Sequence, residues 1–347
     1  MALSVGIIGA TGYVGEELVR ILCRHPEVTE IITASRDFAG LTLDQVFPYL
    51  RGYAEPEILG MDRVPELTDR SDVVFLALPH GVSASVARAV LEQGKKVIDM
   101  AADFRLPEVG LYEKWYNAPH GAPELLAETV YGLPELFRQE ISKARLVANP
   151  GCYPTSALLA LAPLLKNKLV DLESLIIDSK SGVSGAGRAL TLGSHFCECE
   201  GNTKAYGVGT HRHTPEIAYY AGVLAEGTVD LVFTPHLIPV ARGILSTVYA
   251  RLDSSSLDSS GLRQIYQDYY AKEEFVQVAQ EGELPETKWV RGTNRCFLGV
   301  TANEGKAVIV SVIDNLVKGA AGQAVQNMNL LFGLPENAGL KQPGIYP

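Results

Sequence analysis

Short apolar runs alternate with amphipathic stretches along the first 100 residues of the chain. The apolar runs have the length of buried β-strands and fall at residues 4–8, 31–34, 73–78 and 97–99. Two intervening stretches, 16–24 and 82–93, carry apolar residues at helical spacing. Strands that alternate with helices are typical of a parallel sheet covered on both faces, so this region is predicted to be a doubly wound α/β domain.

The pattern changes after the Asn-Pro-Gly sequence at 149–151. A compact apolar helix is predicted at 156–165, and strand-like runs then dominate, at 174–179, 231–234, 247–252 and 307–312. Runs of strands with few helices between them favour an antiparallel or mixed sheet, and therefore an α+β domain. Residues 315–331 predict one long helix, rich in Ala and Gln, that could return to the first domain.

Length and composition agree with two domains. The chain has 347 residues and a mass of 37.5 kDa, more than one typical domain holds. Hydrophobic residues make up 47% and charged residues 20%, with a mean hydropathy of +0.09, so sizeable cores are available but no segment is apolar enough to span a bilayer. We expect one domain of residues 1–150 with about 314–347, and a second of residues 151–313.

The first residues and the cysteines indicate the cellular compartment of the protein. The start MALSVGIIGATG has no basic region, long apolar core or cleavage site of a signal peptide. An odd number of five cysteines in a long chain suits a reducing environment better than a disulfide framework. We therefore expect an unprocessed cytoplasmic protein.

Net charge restricts the partners. The formal charge of −10 disfavours binding to a phosphate backbone, so nucleic acid is not an expected partner. The hydropathy of the chain means that a membrane is not an expected partner either. A small anionic substrate is compatible with this charge, because a few converging Arg and Lys side chains set the local potential of a pocket.

A glycine-rich turn follows the first predicted strand and precedes a helix. Glycines let a backbone approach a pyrophosphate, whose charge is stabilised by the N–H groups at the helix start. The spacing is G-x-x-G-x-x-G rather than G-x-G-x-x-G. We predict a dinucleotide site at Gly9, Thr11, Gly12, Tyr13, Val14 and Gly15.

The end of the second predicted strand indicates which dinucleotide binds. An acidic residue there would bond the ribose 2′-OH and repel a 2′-phosphate, but the chain has Ser35 and Arg36. A hydroxyl and a guanidinium suit a 2′-phosphate, so NADP(H) is the predicted cofactor, although Asp37 follows directly.

Cys152 is the predicted nucleophile. It lies in a turn directly before the helix predicted at 156–165, where free N–H groups and the helix dipole stabilise a thiolate and an oxyanion. Cys23 and Cys296 are interpreted as buried bystanders. Cys197 and Cys199 lack the C-x-x-C spacing of a zinc site, and no metal is expected.

Two histidines flank an arginine in the sequence HRHTPE at 211–216. His211 or His213 could move protons to and from a carbonyl oxygen, while Arg212 could hold an anionic group. The proline-bounded segment 234–243 is expected to shape the same pocket.

Five motifs make the chain resemble a known family, the N-acetyl-gamma-glutamyl-phosphate reductases. They are GATGYVG at 9–15, NPGCYPT at 149–155, SGVSGAGR at 181–188, HRHTPEI at 211–217 and TPHLIPVARGI at 234–244. The family is NADP-dependent, acts in arginine biosynthesis and is related to aspartate-semialdehyde dehydrogenase. The resemblance covers nearly the whole chain. It implies a Rossmann-type NADP-binding domain and an α+β substrate and dimerisation domain of the glyceraldehyde-3-phosphate dehydrogenase C-terminal type.

The resemblance also implies a reaction. Cys152 attacks the acyl phosphate of N-acetyl-L-glutamyl 5-phosphate and expels inorganic phosphate, which leaves a thioester. NADPH delivers hydride to that thioester, and the hemithioacetal collapses to N-acetyl-L-glutamate 5-semialdehyde with help from a histidine. Relatives form dimers or tetramers through the second domain, so a homodimer or homotetramer is expected.

Further site residues follow from the resemblance. It implies that residues 181–188 lie beside the nicotinamide and the substrate, and that Asn315 returns to the cofactor. The additional cofactor-binding residues are expected to be Pro79, Ser181, Gly182 and Asn315. The expected substrate-binding residues are Arg105, Asn149, Arg188, Arg212 and Glu216.

One departure affects the catalytic base. In the aspartate-semialdehyde enzymes the base histidine follows a proline-valine strand and a glycine, and the matching residue here is Ile244. The role therefore moves to His211 or His213, and the sequence does not choose between them.

Other functions share part of the pattern. A reductase of carrier-linked aminoadipyl phosphate, in lysine biosynthesis, would differ only in its acyl pocket. A non-catalytic NADP-binding redox sensor would use Cys152 only as an oxidisable thiol, and a thiol acyltransferase or hydrolase would transfer no hydride. A cofactor turn, a helix-start cysteine and a histidine pair together favour hydride transfer, so the acyl-phosphate reductase is the predicted function.

Overall fold

A computed structural model describes residues 2–254 and 256–346. The chain forms two compact units. The first comprises Met1–Pro150 and Ala320–Gln342, and the second comprises Gly151–Gly319 and Pro343–Pro347.

The first unit contains a seven-stranded sheet in the order β3-β2-β1-β4-β5-β7-β6. Its strands are β1 Leu3–Ile8, β2 Val28–Ala34, β3 Ile58–Leu59, β4 Val73–Leu76, β5 Lys96–Asp99, β6 Val130–Tyr131 and β7 Leu146–Ala148. Every pairing in this sheet is parallel. The strand order reverses between β1 and β4, where ligands of such sheets bind. The predicted doubly wound sheet is confirmed.

Helices of the first unit pack against this sheet. They are α1 Tyr13–Leu22, α2 Leu43–Val46, α3 Val64–Arg70, α4 Ser83–Glu92, α5 Val109–Tyr116, α6 Pro134–Ile141 and α12 Gly322–Leu331, with 3₁₀ turns at Pro48–Leu50, Met61–Arg63 and Pro123–Glu128. Leu18, Leu22 and the whole of β4 are buried, as continuous apolar strands of a covered parallel sheet should be.

The second unit contains a mixed seven-stranded sheet in the order β12-β13-β14-β11-β8-β10-β9. Its strands are β8 Leu175–Gly182, β9 Lys204–Ala205, β10 Leu231–Ile238, β11 Ile244–Arg251, β12 Val276–Val278, β13 Cys296–Asn303 and β14 Lys306–Ile313. Its helices are α7 Cys152–Lys166, α8 Phe196–Cys199, α9 His213–Ala225, α10 Ser259–Tyr269 and α11 Thr287–Val290, with 3₁₀ turns at Val183–Ala186 and Leu192–Ser194. A π-helix at Val317–Ala321 begins in this unit, and its last two residues are assigned to the first unit. The α+β prediction is confirmed.

Side chains of the central strands in the second unit alternate between the two faces of the sheet. On β11, Ile244, Ser246 and Val248 are buried, whereas Tyr249 is 43% exposed. Neighbouring strands expose Ile176 and Val232 by 46% and 56%. The sheet therefore has one covered face and one open face with apolar side chains.

Two predicted helices have different bounds. The helix predicted at 156–165 begins earlier, at Cys152. Pro154 lies in its first turn, where backbone N–H groups have no partner within the helix, so the missing N–H of proline costs no hydrogen bond. The long helix predicted at 315–331 starts only at Val317, as a π-helix, before α12 begins. Asp314 Oδ1 accepts hydrogen bonds from the N–H groups of Leu316 and Val317, so residues 314–316 form a cap.

No helix within the described part of the chain is long and apolar enough to cross a membrane.

Candidate active site

The glycine turn of the first unit is held by close backbone contacts. Gly9 has a φ of +92°, and a Cβ there would lie 2.2 Å from the carbonyl oxygen of Ala77. A Cβ on Gly15 would lie 2.3 Å from the carbonyl oxygen of Gly9. Both positions therefore require glycine for the packing of the protein itself.

Gly12 differs from its two neighbours in the turn. It is the N-cap residue of α1, and a Cβ there would lie 3.6 Å from Gly9 O, an ordinary van der Waals distance. The following residues, Tyr13 and Val14, begin the helix, so their N–H groups are among those that a helix leaves for solvent or an anion. The turn therefore fits the pyrophosphate of a dinucleotide.

The end of β2 joins this turn. Ser35 is 5% exposed, and its Oγ lies 2.6 Å from Oγ1 of Thr11. The side chain of Arg36 is 87% exposed and lies 3.6 Å from Asp37. The structure thus brings Thr11 and Ser35 together and leaves the guanidinium at the surface. Pro79, after β4, is also exposed.

Arg105 and Asn149 lie together beyond the carboxyl ends of β5 and β7. Arg105 Nε donates to Asn149 O at 2.8 Å, and its Nη2 donates to Met100 O at 2.7 Å. The Asn149 side chain accepts from Asn327 at 3.0 Å and donates to Ala320 O at 3.2 Å. These groups order the backbone of the first unit around them.

The predicted nucleophile of the second unit, Cys152, is the first residue of a helix. Cys152 begins α7, and Gly151 is the cap. Gly151 N–H donates to the Oε1 atom of Glu216 at 2.9 Å, and that carboxylate is almost fully buried. A Cβ on Gly151 would lie 2.4 Å from Nε2 of His213. The imidazole therefore packs directly against the residue before the nucleophile.

The π-helix touches the nucleophile from another side. A Cβ on Gly319 would lie 2.8 Å from Cβ of Cys152. The capping residue Asp314 is buried, accepts from Gly292 N–H at 2.8 Å and forms an ion pair with Arg242 at 3.2 Å. Sequence reasoning missed Asp314 and Gly319. The available signal was the DNLVKGAA sequence at 314–321, which has glycine and alanine where a helix must pass close to another group.

The two histidines differ in environment. Nδ1 of His211 accepts from the backbone N–H of His213 at 3.1 Å, so the neutral ring carries its proton on Nε2. Burial, and to a smaller extent the charge of Arg212, lowers the pKa of His211 to about 4. At neutral pH His211 is therefore uncharged, and it can donate a hydrogen bond from Nε2.

A tyrosine pair, also missed by sequence reasoning, lies beside these groups. Its hydroxyls, from Tyr153 and Tyr206, are 3.0 Å apart, and Tyr153 also donates to His236 O at 3.2 Å. Burial raises the pKa of Tyr153 and raises that of Tyr206 to about 12, and Cys152 is close enough to contribute in the same direction. Both hydroxyls are therefore protonated at neutral pH. The position of Tyr153 in the NPGCYPT motif was the available signal.

Three of the remaining predicted residues of the second unit lie at or just after the ends of β8 and β14. Ser181 and Gly182 end β8, and a Cβ on Gly182 would lie 2.8 Å from Arg242 N. Asn315 accepts from Gly243 N–H at 2.7 Å and donates to Ser184 Oγ at 2.9 Å. Its amide thus links two loops of this unit. Arg188 and Arg212 are exposed.

Cys197 and Cys199 lie in the short helix α8. Among residues 2–254 and 256–346, no three His, Cys, Asp or Glu side chains are grouped so that they could hold a metal ion. Cys199 Sγ donates to Gly193 O at 3.2 Å.

Two family profiles match the chain and define its class. The NAD-binding domain of semialdehyde dehydrogenases matches residues 4–144, and the semialdehyde dehydrogenase dimerisation domain matches residues 152–315. Solved structures agree in fold. The chain is 19% identical to aspartate semialdehyde dehydrogenase II from Vibrio cholerae, with a TM-score of 0.75 over 96% of this chain and 99% of that one. An aspartate semialdehyde dehydrogenase from Candida albicans, solved with NADP, is 17% identical, with a TM-score of 0.72 over 97% of this chain and 100% of that one.

Relatives of full length identify the family. A protein of Pelotomaculum thermopropionicum named N-acetyl-gamma-glutamyl-phosphate reductase is 56% identical over 100% of both chains. One of the same name from Desulforudis audaxviator is 52% identical over 99% of this chain and 100% of its own length. The chain belongs to the N-acetyl-gamma-glutamyl-phosphate reductase family and is an oxidoreductase, as the motifs predicted.

Proposed function

We propose that the chain reduces N-acetyl-L-glutamyl 5-phosphate with NADPH to N-acetyl-L-glutamate 5-semialdehyde and inorganic phosphate, a step of arginine biosynthesis. The observation that carries this proposal is Cys152 at the start of α7, with His213 packed against Gly151. Relatives of full length that carry the reductase name support the choice of substrate.

The start of α7 supplies the chemistry of the first step. The helix dipole and first-turn N–H groups stabilise the thiolate of Cys152, which adds to the acyl carbon. The same N–H groups stabilise the oxyanion that forms, and expulsion of phosphate leaves a thioester. When bound, NADPH supplies the hydride that reduces this thioester to a hemithioacetal. Collapse of the hemithioacetal breaks the C–S bond and releases the aldehyde.

We assign different tasks to the two histidines. His213 packs against the residue before Cys152, so it is the proposed base that takes the thiol proton and later returns it. His211, neutral with a proton on Nε2, is the proposed hydrogen-bond donor to the carbonyl oxygen. Replacing His213 by alanine should remove a limb of the pH profile of kcat/KM. Replacing His211 should lower kcat at every pH, and the reverse pattern would exchange the roles.

The first unit is proposed to bind NADP(H) rather than NAD(H). The glycine turn at Gly9, Thr11, Gly12, Tyr13, Val14 and Gly15 would hold the pyrophosphate. Ser35 and Arg36 would hold the 2′-phosphate, while Pro79, Ser181, Gly182 and Asn315 would contact the rest of the cofactor. The exposed guanidinium of Arg36 supports this preference, because it is accessible to a phosphate.

The substrate carries carboxylate and phosphate groups that need cationic partners. Arg188 and Arg212 are exposed in the second unit and are the proposed direct partners. The donors of Arg105 go to main-chain carbonyls, so we propose that Arg105 and Asn149 act by ordering their loop. Glu216 bonds the Gly151 amide and is proposed to fix the nucleophile turn rather than to bind substrate.

Domain roles and assembly follow from the two units. Residues 1–150 with about 314–347, of which Ala320–Gln342 belong to the first compact unit, are proposed as the NADP-binding domain, and 151–313 as the catalytic and self-association domain. The open apolar face with Ile176, Val232 and Tyr249 supports a homodimer or homotetramer formed there. A cytoplasmic location is also proposed, since no disulfide joins any of the five cysteines.

The reverse reaction tests this function. Purified protein is mixed with N-acetyl-L-glutamate 5-semialdehyde, phosphate and NADP, and NADPH is followed by its absorbance. We expect a phosphate-dependent increase with this substrate and none with aspartate semialdehyde. Absence of a signal from a protein that demonstrably binds NADPH would contradict the assignment.

A further inference from the structure

His211 lies inside a cage of aromatic rings. The centroid of its imidazole is 5.6 Å from the ring of Tyr153, 5.4 Å from Tyr206, 5.5 Å from Phe233 and 4.9 Å from His213. All four contacts are edge-to-face, with interplanar angles between 62° and 85°. Such contacts fix the orientation of a ring as well as excluding water.

The four surrounding rings come from different parts of the second unit. Tyr153 lies in the first turn of α7, Phe233 on β10 and His213 at the start of α9. Tyr206 directly follows β9. Tyr153 and Phe233 are 2% and 3% exposed, whereas Tyr206 is 36% exposed. Tyr206 is therefore the ring that separates the cage from solvent.

The backbone fixes Tyr206 relative to His211. Tyr206 N–H donates to Pro235 O at 3.1 Å, which ties the segment to β10. Gly207 follows with a φ of +57°, and a Cβ there would lie 3.3 Å from Cβ of His211. The turn between the two rings is therefore tight.

The hydroxyl of Tyr206 fixes its ring. It lies 3.0 Å from the hydroxyl of Tyr153, which donates its proton to His236 O. The hydrogen-bonded pair is therefore attached to the backbone of β10 through Tyr153. A phenylalanine would keep the ring but lose this attachment.

We propose that Tyr206 is a positioning residue, which closes the cage and holds the imidazole of His211 in one orientation, away from water. The catalytic consequence rests on the proposed function, in which His211 donates a hydrogen bond from Nε2. The cage itself does not depend on that role.

The charge state of His211 reports whether the cage is closed. The titratable groups that face it are Arg212 on its own loop, His213 on α9, Tyr153 on α7 and Tyr206 after β9. Burial is the main cause that lowers the pKa of His211 to about 4, with Arg212 second. Removing the Tyr206 ring admits water, so the pKa should rise towards the ordinary value of 6.5.

The test follows the Cε1–H resonances of the histidines by NMR in the full chain, with His211 assigned from a His211→Gln variant. In the wild type we expect no titration of His211 between about pH 5.5 and 8. Tyr206→Ala should bring its titration into this range. Tyr206→Leu, which keeps apolar bulk, should give a smaller shift, and Tyr206→Phe the smallest.

A matched control is Tyr269→Ala, which removes another half-buried tyrosine of the second unit that packs against a neighbouring ring, that of Tyr270. It should leave the titration of His211 unchanged. The proposal is overturned if His211 in Tyr206→Ala and Tyr206→Leu titrates as in the wild type, or if Tyr269→Ala produces the same shift.

Kinetics separate this proposal from the proposed function. With reductase activity present, Tyr206→Ala should lower kcat more than it changes KM, because the imidazole of His211 is no longer held in one orientation. If the wild type has no reductase activity but the Tyr206 variants change the titration of His211 as expected, the proposed function is contradicted and the cage is supported. If the wild type is active but the Tyr206 variants leave the titration of His211 unchanged, only the proposed role of Tyr206 is contradicted.

Discussion

Each of the two candidate sites lies at the start of a helix that is capped by a glycine, but the surroundings of the two glycines differ. A Cβ on Gly12, before α1, would meet only an ordinary contact at 3.6 Å. A Cβ on Gly151, before α7, would overlap the His213 imidazole at 2.4 Å. The first helix start is an open main-chain cradle suited to an external anion. The second is enclosed by His213 and Glu216, which contact Gly151, and this suits the proposed task of holding one thiol in place.

The largest effect is expected from the enclosed site. Cys152→Ser should lower reductase activity by at least about 10⁴-fold, because a serine hydroxyl at neutral pH is a far weaker nucleophile than a thiolate. The Kd for NADPH should be nearly unchanged, since the cofactor turn belongs to the other unit. Activity is measured by NADPH consumption and binding by fluorescence titration. Retained turnover would rule out the covalent pathway.

The two capping glycines give a direct comparison. Gly151→Ala forces His213 or the nucleophile turn to move, and we expect kcat to fall by about 10²–10³-fold, as displacements near 1 Å at reacting groups do. Gly12→Ala has an allowed backbone, with φ −80° and ψ 163°, so the fold should persist. Its methyl stands where a pyrophosphate approaches and should raise the Kd for NADPH by about tenfold.

Equal losses of kcat and cofactor affinity in both glycine variants would break the comparison. It would mean that the two helix starts are constrained in the same way. Circular dichroism of both variants is the control for folding.

A third change concerns cofactor choice in the open site. Ser35→Ala combined with Arg36→Ala should weaken NADPH by about 10–100-fold, the value of one or two charge-assisted hydrogen bonds. NADH binding should change little, because NADH has no 2′-phosphate. Kd values for both cofactors decide the matter. A similar loss for both cofactors would contradict a contact of Ser35 and Arg36 with the 2′-phosphate.

The smallest effect concerns stability of the first unit. Asp99 at the end of β5 is fully buried, and burial raises its pKa to about 7, although Ser83 and Ala101 N–H bond its Oδ1 atom. The folded chain holds a proton that the unfolded chain releases near pH 4, so this group lowers the free energy of unfolding as pH rises through that interval. The slope is about 1.4 kcal/mol per pH unit.

Asp99→Asn mimics the protonated acid and should remove this slope. Urea unfolding of wild type and variant at pH 5 and pH 6.5 measures the difference. If the two chains lose stability equally over this interval, the carboxyl is ionised in the folded state.

Local sequence patterns predicted most of the fold and the proposed central residue of each site. The runs that predicted strands at 31–34 and 97–99 fall inside β2 and β5, because covered parallel strands are continuously apolar. Cys152 stood out because glycine and proline flank it before an apolar helix.

Contacts between distant segments could not be obtained in this way. Tyr206 and Gly319 are 54 and 167 positions from Cys152, and only the folded chain brings Gly319 against the Cβ atom of Cys152. Glu216 is predicted from its motif to bind substrate, but the sequence does not show that one of its carboxylate oxygens accepts a hydrogen bond from the Gly151 amide. A charged residue in a motif does not reveal whether its partner is a ligand or a backbone group.

The central claim is that Cys152 carries the acyl group. The most direct measurement mixes enzyme, N-acetyl-L-glutamate 5-semialdehyde and NADP without phosphate in a stopped-flow instrument, with mass spectrometry of the product. We predict a burst of about one NADPH per chain, an acyl adduct on the Cys152 peptide, and its release when phosphate is added. Turnover with phosphate but no burst and no adduct in its absence would contradict the account.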